Sequence, residues 1–388
     1  MVITSEHMKS KIIEADVIVV GAGFFGLTIA ERAASLLDKK VLVLDKRNHI
    51  GGNAHSYFDE KLGIEIHKYG SHLFHTNNDK VWDYINLFTK FNNYQHKVIA
   101  LANNHYFDIP INLSTLSNVF GSKLTPSSAR KMLESFKVFE DENNLEEKAL
   151  NQVGEVLFQM FIKGYTEKQW GMSTKLLPKA TINRLPVRTN FDSRYFTDKY
   201  QGLPLEGYGK LFENMVNHQN IQIELNTDYF EIEDFISSRQ LVIYTGPIDR
   251  YFNYKHGVLG WRTVDFEFET LEVDDYQGNS VINYCDIDIP YTRIHEFFHL
   301  HPERTKLDGF TVIAKEFSRI ATESDEPYYP VNSILDRDKL LKYRSEVSKV
   351  NVLFGGRLGT YQYLDMHMAI ASALSLYETK VVDWFTNG

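Results

Sequence analysis

Apolar, mostly β-branched runs of four or five residues recur along the chain and end at a glycine or a polar residue. Runs without polar alternation are typical of strands that are buried on both faces of a parallel sheet. They lie at residues 17–20, 41–44 and 241–244, and residues 221–225 and 351–354 are also predicted to be strands. A helix-like segment follows the first run, so the chain is predicted to begin with a strand–turn–helix–strand unit.

The pattern changes twice between these runs. At residues 78–90 and 145–163, apolar residues recur at spacings of three and four, which predicts amphipathic helices. From residue 261, polar and apolar residues alternate, which predicts an antiparallel sheet. The sequence thus predicts three domains: a split nucleotide-binding domain (14–77, 205–255 and 340–388), a mainly helical domain (78–204) and an antiparallel β-sheet domain (256–339).

The turn after the first predicted strand contains Gly21, Gly23 and Gly26, in the spacing G-x-G-x-x-G. These glycines allow a tight turn, close approach of a pyrophosphate, and packing of the helix on the strand. Asp45 ends the second strand 19 residues after Gly26, where an acid accepts hydrogen bonds from a ribose. This context favours a dinucleotide site over a glycine turn without a ligand.

Gly51 and Gly52 follow shortly after Asp45, in D-K-R-N-H-I-G-G-N. Flavoproteins of the glutathione-reductase and amine-oxidase type carry an acid, a basic residue and a glycine pair here. The segment therefore favours FAD over a plain nicotinamide cofactor. Arg47 is either a contact to the adenine or phosphate or a solvated surface charge.

Composition narrows the possible partners. The chain has 388 residues, enough for two or three domains, and its net charge is −9. Without a long basic run, nucleic acid and anionic membrane are poor partners, so local arginines must hold any anionic substrate. The single cysteine, Cys285, precludes a disulfide within the chain and suits a reducing cytoplasm. No signal peptide is recognisable, and residues before about 14 are expected to form a loose tail.

Familiar catalytic motifs are absent from the sequence, which has no G-x-S-x-G, no H-E-x-x-H and no obvious acid pair. His72 and His75 are three residues apart, but the preceding Gly70-Ser71 predicts a loop, and no metal site is expected. The segment 164–188 is bounded by glycines and prolines and contains Trp170 and Arg184. It predicts either a mobile substrate loop, at about 171–186, or a surface connection with a half-buried tryptophan.

Several segments between about residues 16 and 375 together resemble the bacterial UDP-galactopyranose mutase family. They are G-A-G-F-F-G, K-R-N-H-I-G-G-N, H-K-Y-G-S-H-L-F-H-T, I-K-G-Y-T-E-K-Q-W-G, L-P-V-R, Y-Q-G-L-P, Q-G-N-S-V-I-N-Y, P-Y-T-R-I, E-P-Y-Y-P-V-N and G-R-L-G-T-Y-Q-Y-L-D-M. The first is shared with many flavoproteins, whereas K-Q-W-G, Y-T-R-I and Y-x-Y-x-D-M are far more specific.

The resemblance implies an amine-oxidase-like α/β fold with a Rossmann-like FAD domain, and interconversion of UDP-galactopyranose and UDP-galactofuranose without net redox. In the family, N5 of reduced FAD attacks the anomeric carbon and UDP leaves, and the sugar recloses through its 4-hydroxyl. It further implies a cytoplasmic homodimer that supplies galactofuranose for cell-surface glycans, without membrane insertion. The alternatives are a mutase for a related UDP-sugar, an amine-oxidase-like oxidoreductase and a non-catalytic flavin or UDP-sugar binding protein.

Site residues follow from the same resemblance. Arg184 and Arg293 should clamp the diphosphate and screen its charge, and His75 should lie beside the flavin and tune it. The other implied substrate contacts are His96, Phe161, Tyr165, Thr166, Trp170, Tyr195, Asn283, Tyr328 and Tyr363; Phe161 could equally be helix core. The implied cofactor contacts are Gly21, Gly23, Phe25, Gly26, Asp45, Lys46, Arg47, Gly52, Asn53, His72, Leu73, Gly356, Arg357, Leu364, Asp365 and Met366. Many relatives have Glu where this chain has Asp45, which preserves the chemistry of the ribose contact.

Overall fold

The structure is a computed structural model that describes residues 6–387, except for the side chains of Arg184 and Asn387. The strands are β1 (Val17–Val20), β2 (Val41–Leu44), β3 (Ser56–Asp59), β4 (Ile64–His67), β5 (Phe74–Thr76), β6 (Val98–Ala102), β7 (His105–Ile109), β8 (Tyr200–Gly202), β9 (Ile221–Glu224), β10 (Leu241–Tyr244), β11 (Trp261–Leu271), β12 (Val281–Tyr284), β13 (Arg293–Glu296), β14 (Thr311–Ile320), β15 (Tyr329–Pro330) and β16 (Val352–Phe354). The α-helices are α1 (Glu6–Glu14), α2 (Phe24–Leu37), α3 (Asp79–Ile85), α4 (Leu113–Val119), α5 (Pro126–Ser135), α6 (Leu145–Leu157), α7 (Gly164–Trp170), α8 (Gly207–Val216), α9 (Ile248–Tyr251), α10 (Ile334–Val347), α11 (Gly356–Thr360), α12 (Met366–Leu376) and α13 (Val382–Asn387).

A five-stranded parallel sheet, in the order β16-β10-β1-β2-β9, forms the nucleotide-binding part of the fold. The strands predicted at residues 17–20, 41–44, 221–225, 241–244 and 351–354 are all in this sheet. The strands β1, β2 and β10 are almost entirely buried because α2, on which α12 packs, covers one face and a second apolar cluster, around Tyr229, covers the other. Burial on both faces explains why these strands show no polar alternation.

A seven-stranded mixed sheet, in the order β15-β11-β14-β13-β12-β6-β7, forms the second layer. Its strand pairs are antiparallel, apart from β12 with β6. The strands β6 and β7 come from the segment predicted to be mainly helical, so this sheet extends beyond the predicted boundaries of 256–339. The domain division remains a prediction.

The middle of the chain is helical, as its spacing predicts. The side chain of Thr125 caps α5, and α6 continues through a π-helical segment (Phe158–Lys163) into α7. These helices pack around a core that also receives β6. None of the helices in residues 6–387 is long and apolar enough to cross a membrane.

The prediction of a loose tail is wrong for residues 6–14, which form α1. Ile12 is fully buried against the parallel sheet. The amide nitrogen of Gln240 donates hydrogen bonds to the carbonyls of Ile12 and Ala15. A side chain from a distant loop holds this helix, so the local sequence did not predict that the segment would be ordered.

Candidate functional site

A cavity opens along the carboxyl-terminal edge of the parallel sheet, where β1, β2 and β10 end. This is the edge at which open α/β sheets bind ligands. The predicted cofactor contacts that line it are Gly21, Gly23, Phe25, Gly26, Asp45, Lys46, Arg47, Gly52, Asn53, His72, Gly356, Arg357, Leu364 and Met366. Leu73 and Asp365, which were also predicted, do not line it: Leu73 packs against the main core, and Asp365 precedes α12.

The glycine turn is shaped to admit a phosphate group. A Cβ atom on Gly26 would lie 2.0 Å from the carbonyl oxygen of Gly21, so only glycine lets α2 pack this closely. Gly23 precedes α2 and offers no side chain to cap its first amides. Those amides and the positive end of the helix dipole remain available to an anion, which suits the pyrophosphate of a dinucleotide.

Asp45 joins the two turns that border the cavity. Its carboxylate accepts hydrogen bonds from the backbone N–H groups of Ala22, at 2.8 Å, and Arg47, at 2.9 Å. Burial raises its pKa, although these hydrogen bonds oppose the shift. The predicted ribose acceptor therefore also holds the cavity wall in place.

Arg47 is not a solvated surface charge. Its guanidinium donates to Asn53 Oδ1 at 2.8 Å and Glu326 Oε2 at 3.0 Å, and it lies 4.7 Å from the ring centre of Tyr69. Only 14% of its side chain is exposed. This geometry favours the other alternative, in which Arg47 is a wall of the cofactor site.

The cavity also has walls that the sequence interpretation missed: Thr227, Thr245, Gly246, Glu326 and Pro327. Thr245 and Gly246 directly follow β10, so the end of a buried strand at a glycine was a usable signal. Glu326 comes from a loop far along the chain, next to the second sheet, and no local pattern indicates that it meets Arg47.

A second polar cluster lies around Arg293, on β13. The Arg293 guanidinium donates a hydrogen bond to the hydroxyl of Tyr165 and lies 3.4 Å, measured from Nε, from Glu316 Oε1. Glu316 also accepts hydrogen bonds from Thr292 Oγ1, at 3.2 Å, and from His295 Nε2, at 3.0 Å. The Arg293 side chain is 30% exposed.

The charges of this cluster are fixed at neutral pH. Burial would raise the pKa of Glu316, but the charge of Arg293 and the hydrogen bond from His295 outweigh it and hold the pKa at about 2. Burial likewise opposes the charge on Arg293, and Glu316 raises that pKa nonetheless. The result is a pre-placed cation whose position is set by a buried carboxylate.

Tyr329 stacks on Tyr363, and the charges of Glu316 and Arg293 act on its hydroxyl, whereas the predicted Tyr328 packs beside Tyr69 and Arg47. The ring of Tyr328 is buried, at 6.4 Å from that of Tyr69, beside Arg47. Burial and the charge of Glu316 raise the pKa of Tyr329, while Arg293 opposes the rise. Adjacent residues in an extended segment point to opposite faces, so Tyr328 and Tyr329 have different surroundings.

Arg357 and Tyr363 connect the cavity to the cluster. Arg357 lines the cavity and donates hydrogen bonds to the carbonyls of Tyr328, at 3.1 Å, and Leu364, at 2.7 Å. Its guanidinium lies 4.7 Å from the ring centre of Tyr363. Tyr363 in turn stacks on Tyr329, with centroids 5.8 Å apart.

The other predicted substrate contacts border the same region. His96 and Tyr195 have ring centroids 5.5 Å apart, and burial together with the Arg293 charge lowers the pKa of His96 to about 3. Asn283 pairs with Arg293 across β12 and β13, and its Oδ1 is buried and accepts no hydrogen bond from the described residues. An unpaired buried acceptor beside a cation suits a polar ligand.

The remaining predicted substrate contacts are buried in the helical core or lie on α7 and in the segment that follows it. Phe161 is buried against Phe107, so its structure is that of a core residue. Thr166 is buried and Trp170 partly buried, both on α7. Arg184 ends a 3₁₀ segment (Lys179–Arg184), but its side chain is outside the described residues, and its role stays a prediction.

His75 lies outside the cavity lining, in a pair with a carboxylate that the sequence interpretation missed. Its Nδ1 is 2.6 Å from Asp198 Oδ2, and its ring stacks on Phe196 with centroids 3.7 Å apart. Asn77 donates a hydrogen bond to the other oxygen of Asp198. The antiparallel pair β5–β8 brings these residues together, across more than a hundred positions of sequence.

Two cations hold the end of α7, directly before the predicted substrate loop. Lys168 Nζ donates to four carbonyls of the β12–β13 connection, those of residues 284, 286, 289 and 291, at 2.8–3.1 Å. Arg262 donates to the carbonyls of Gln169, at 3.0 Å, and Lys168, at 3.3 Å. These contacts fix the helix that carries Tyr165 and Trp170 to the second sheet.

Comparisons with known proteins agree with this geometry. The sequence model of the UDP-galactopyranose mutase family matches residues 160–363, and that of NAD(P)-binding Rossmann-like domains matches residues 19–88. A dTDP-fucopyranose mutase of Escherichia coli is 41% identical over 365 residues, which cover 92% of this chain and 96% of that protein. A probable UDP-galactopyranose mutase of Klebsiella pneumoniae is 42% identical over 364 residues, covering 92% and 93%.

Solved structures share the fold at low sequence identity. A reduced UDP-galactopyranose mutase matches with a TM-score of 0.72 and 14% identity, over 96% of both chains. A putative protoporphyrinogen oxidase from an Exiguobacterium species matches with a TM-score of 0.61 and 13% identity, over 95% of this chain and 98% of that one. The predicted α/β, amine-oxidase-like fold is thereby confirmed.

Proposed function

This chain belongs to the UDP-galactopyranose mutase family, and on that premise we propose that it is an isomerase that interconverts UDP-galactopyranose and UDP-galactofuranose. The reaction changes the ring size of the sugar and leaves the redox state of the substrate unchanged. We further propose that the dinucleotide cavity holds FAD and that the enzyme is active when the FAD is reduced.

The observation that carries this proposal is the junction between the cavity and the Arg293 cluster. Arg357 lines the cavity, Tyr363 lies against Arg357 and stacks on Tyr329, and the charge of Arg293 acts on the hydroxyl of Tyr329. A diphosphate held by Arg293 would therefore place its sugar toward the cavity. Such a junction serves a reaction between a nucleotide sugar and a bound cofactor.

The protein's own contribution is positioning and charge. When bound and reduced, FAD supplies the nucleophile for the anomeric carbon of the sugar. Arg293 stays cationic and stabilises the negative charge that develops as UDP leaves. Tyr165 accepts a hydrogen bond from Arg293 and so helps to fix the orientation of its guanidinium. Gly23, Asp45 and the first amides of α2 would hold the dinucleotide.

A second substrate deserves a direct test because two curated relatives are nearly equally similar. The dTDP-fucopyranose mutase is 41% identical and the probable UDP-galactopyranose mutase 42% identical. The two substrates differ at the base methyl group, the ribose 2′-hydroxyl and the sugar 6-hydroxyl. A polar pocket for a hydroxyl discriminates strongly against a substrate that lacks it.

The test is to purify the protein, record its flavin spectrum and reduce it with dithionite under nitrogen. UDP-galactofuranose and dTDP-fucofuranose are then supplied separately, and each pyranose product is followed by chromatography. We expect conversion of the UDP-sugar by the reduced enzyme only. Exclusive conversion of the dTDP-sugar would replace the proposed substrate, and a flavin-loaded protein that converts neither sugar would refute the mutase proposal.

A substitution then tests the role of Arg293. Arg293→Ala should retain bound flavin and lose most turnover, because the cation that balances the leaving diphosphate is gone. Arg239→Ala is the matched control, since Arg239 is an exposed arginine in a loop away from the cavity. Near-normal turnover of Arg293→Ala would remove Arg293 from the proposed diphosphate site.

A further inference from the structure

His295 is a fully buried histidine two residues after Arg293, on the same face of β13. Both ring nitrogens have hydrogen-bond partners. Nε2 lies 3.0 Å from Glu316 Oε2, and Nδ1 lies 2.9 Å from Ser71 Oγ and 3.3 Å from the backbone nitrogen of Ser71. The side chain thus bridges two segments that are far apart in sequence.

The hydrogen bonds determine the tautomer. A backbone N–H can only donate, so Nδ1 accepts from Ser71, and the proton must be on Nε2. Nε2–H therefore donates to the carboxylate of Glu316. Burial lowers the pKa of His295, which keeps the ring neutral. Because His295 is neutral, Arg293 alone neutralises the negative charge of Glu316.

Ser71 belongs to the segment that borders the cofactor cavity. The next residue, His72, lines the cavity, and its Nδ1 lies 2.8 Å from the carbonyl oxygen of Gly70. Gly70 allows the close contact with the second sheet, because a Cβ atom there would lie 3.0 Å from the ring of Phe266 and 3.4 Å from His295 Nε2. The segment is therefore packed directly onto the histidine.

We propose that His295 is a positioning residue that ties the cofactor-side segment at Ser71–His72 to Arg293 through Glu316. His295 orients one carboxylate oxygen, and the other oxygen lies against Arg293 Nε at 3.4 Å. The position of the cavity wall then influences the position of the cation. The inference rests on the proposed function, since it takes Arg293 to be the diphosphate site.

The test measures UDP affinity by isothermal titration calorimetry on flavin-loaded protein. His295→Phe keeps a buried ring and removes the hydrogen bonds of both ring nitrogens, and we expect UDP to bind about tenfold more weakly because a charge-assisted hydrogen bond is lost. His295→Gln retains an amide donor for Glu316 and should recover most of the affinity. Ser71→Ala removes one of the two donors to Nδ1 and should have a smaller effect.

A double variant separates positioning from general destabilisation. If His295 acts through Glu316, adding His295→Phe to Glu316→Gln should weaken UDP binding by less than about twofold, because coupled sites are not additive. The control is His301→Phe, since His301 is also buried but pairs with Glu303 instead of the cluster. We expect this control to bind UDP like the unsubstituted protein.

Two outcomes would overturn the inference alone. They are an unchanged UDP affinity in His295→Phe, and full additivity of His295→Phe with Glu316→Gln, each seen while the unsubstituted protein binds UDP. If the unsubstituted, flavin-loaded protein binds no UDP at all, the inference and the proposed diphosphate site both fail.

Discussion

Arg262 gives the sharpest prediction about how the end of α7 is held. Only 2% of this residue is exposed, and no carboxylate among the described residues pairs with it. Burial lowers its pKa to about 10. Its guanidinium instead meets the carbonyls of Lys168 and Gln169 and the hydroxyl of Ser318, at 3.0–3.3 Å. These carbonyls end α7, where a cation also interacts favourably with the helix dipole.

The perturbation is Arg262→Met, which keeps an unbranched side chain and removes the donors. A hydrogen bond to a charged group contributes roughly 1.5–3 kcal/mol. Ser318 Oγ still donates to the carbonyl of Gln169 at 2.6 Å, so the carbonyl of Lys168 loses most. Removing a buried cation also removes its desolvation cost. The free energy that holds this end of the helix closed therefore falls by a net amount of about 2 kcal/mol. That loss would raise the opened population about 30-fold.

Limited proteolysis with trypsin measures this opening, because Lys175, Lys179 and Arg184 follow α7 directly. Cleavage of a transiently opened segment tracks the opened population when closing is faster than cutting. We therefore expect cleavage at these sites to be about 30-fold faster in Arg262→Met. Arg319→Met is the matched control, since Arg319 pairs with Asp265 and Asp325 at the surface. Equal cleavage rates for Arg262→Met and the control would refute the reasoning.

Two further predictions concern other parts of the molecule. Gly355→Ala should lower the flavin content per polypeptide, measured by absorbance, because a Cβ atom there would lie 2.0 Å from the ring of Phe25, a wall of the cavity; full flavin content would contradict this. Burial opposes the charge on His299, but the carboxylates of Glu296 and Asp275, which lie 3.6 and 3.1 Å from Nε2, raise its pKa above the usual 6.5. Because the folded-state pKa is the higher one, this stabilisation is present below pH 6.5 and is lost as the pH rises through the folded value. In His299→Gln, the free energy of unfolding in urea should no longer fall as the pH rises through this range. A pH dependence equal to that of the unsubstituted protein would contradict the prediction.

The wall of the cofactor cavity was predictable where its residues lie next to one another in the chain. Gly21, Gly23, Gly26 and Asp45 follow from one strand–turn–helix–strand unit, and the structure places all four at the edge of the sheet. The geometry of this unit is local, since the strand, the turn and the helix dipole act within a few residues.

Residues brought together by pairing between distant strands were not predictable in the same way. Glu316 reaches Arg293 because β13 and β14 are neighbours, and Asp198 reaches His75 because β5 pairs with β8. A carboxylate that pairs across strands has no distinctive local sequence, so neither residue was among the predicted contacts. Which of Tyr328 and Tyr329 faces Arg293 likewise depends on the pairing of their segment with β11, and the predicted role of Tyr328 stays a prediction.

The sequence by itself determined the parallel sheet, the dinucleotide turn and the family, because each rests on short-range patterns of residues. Only the tertiary structure decided that α1 is held by Gln240, that β6 and β7 complete the second sheet, and that Arg293 is set by Glu316 and His295. Long-range hydrogen bonds and ion pairs form between segments whose separation in sequence says nothing about their distance in space. The polar contacts that place Arg293 are of this second kind.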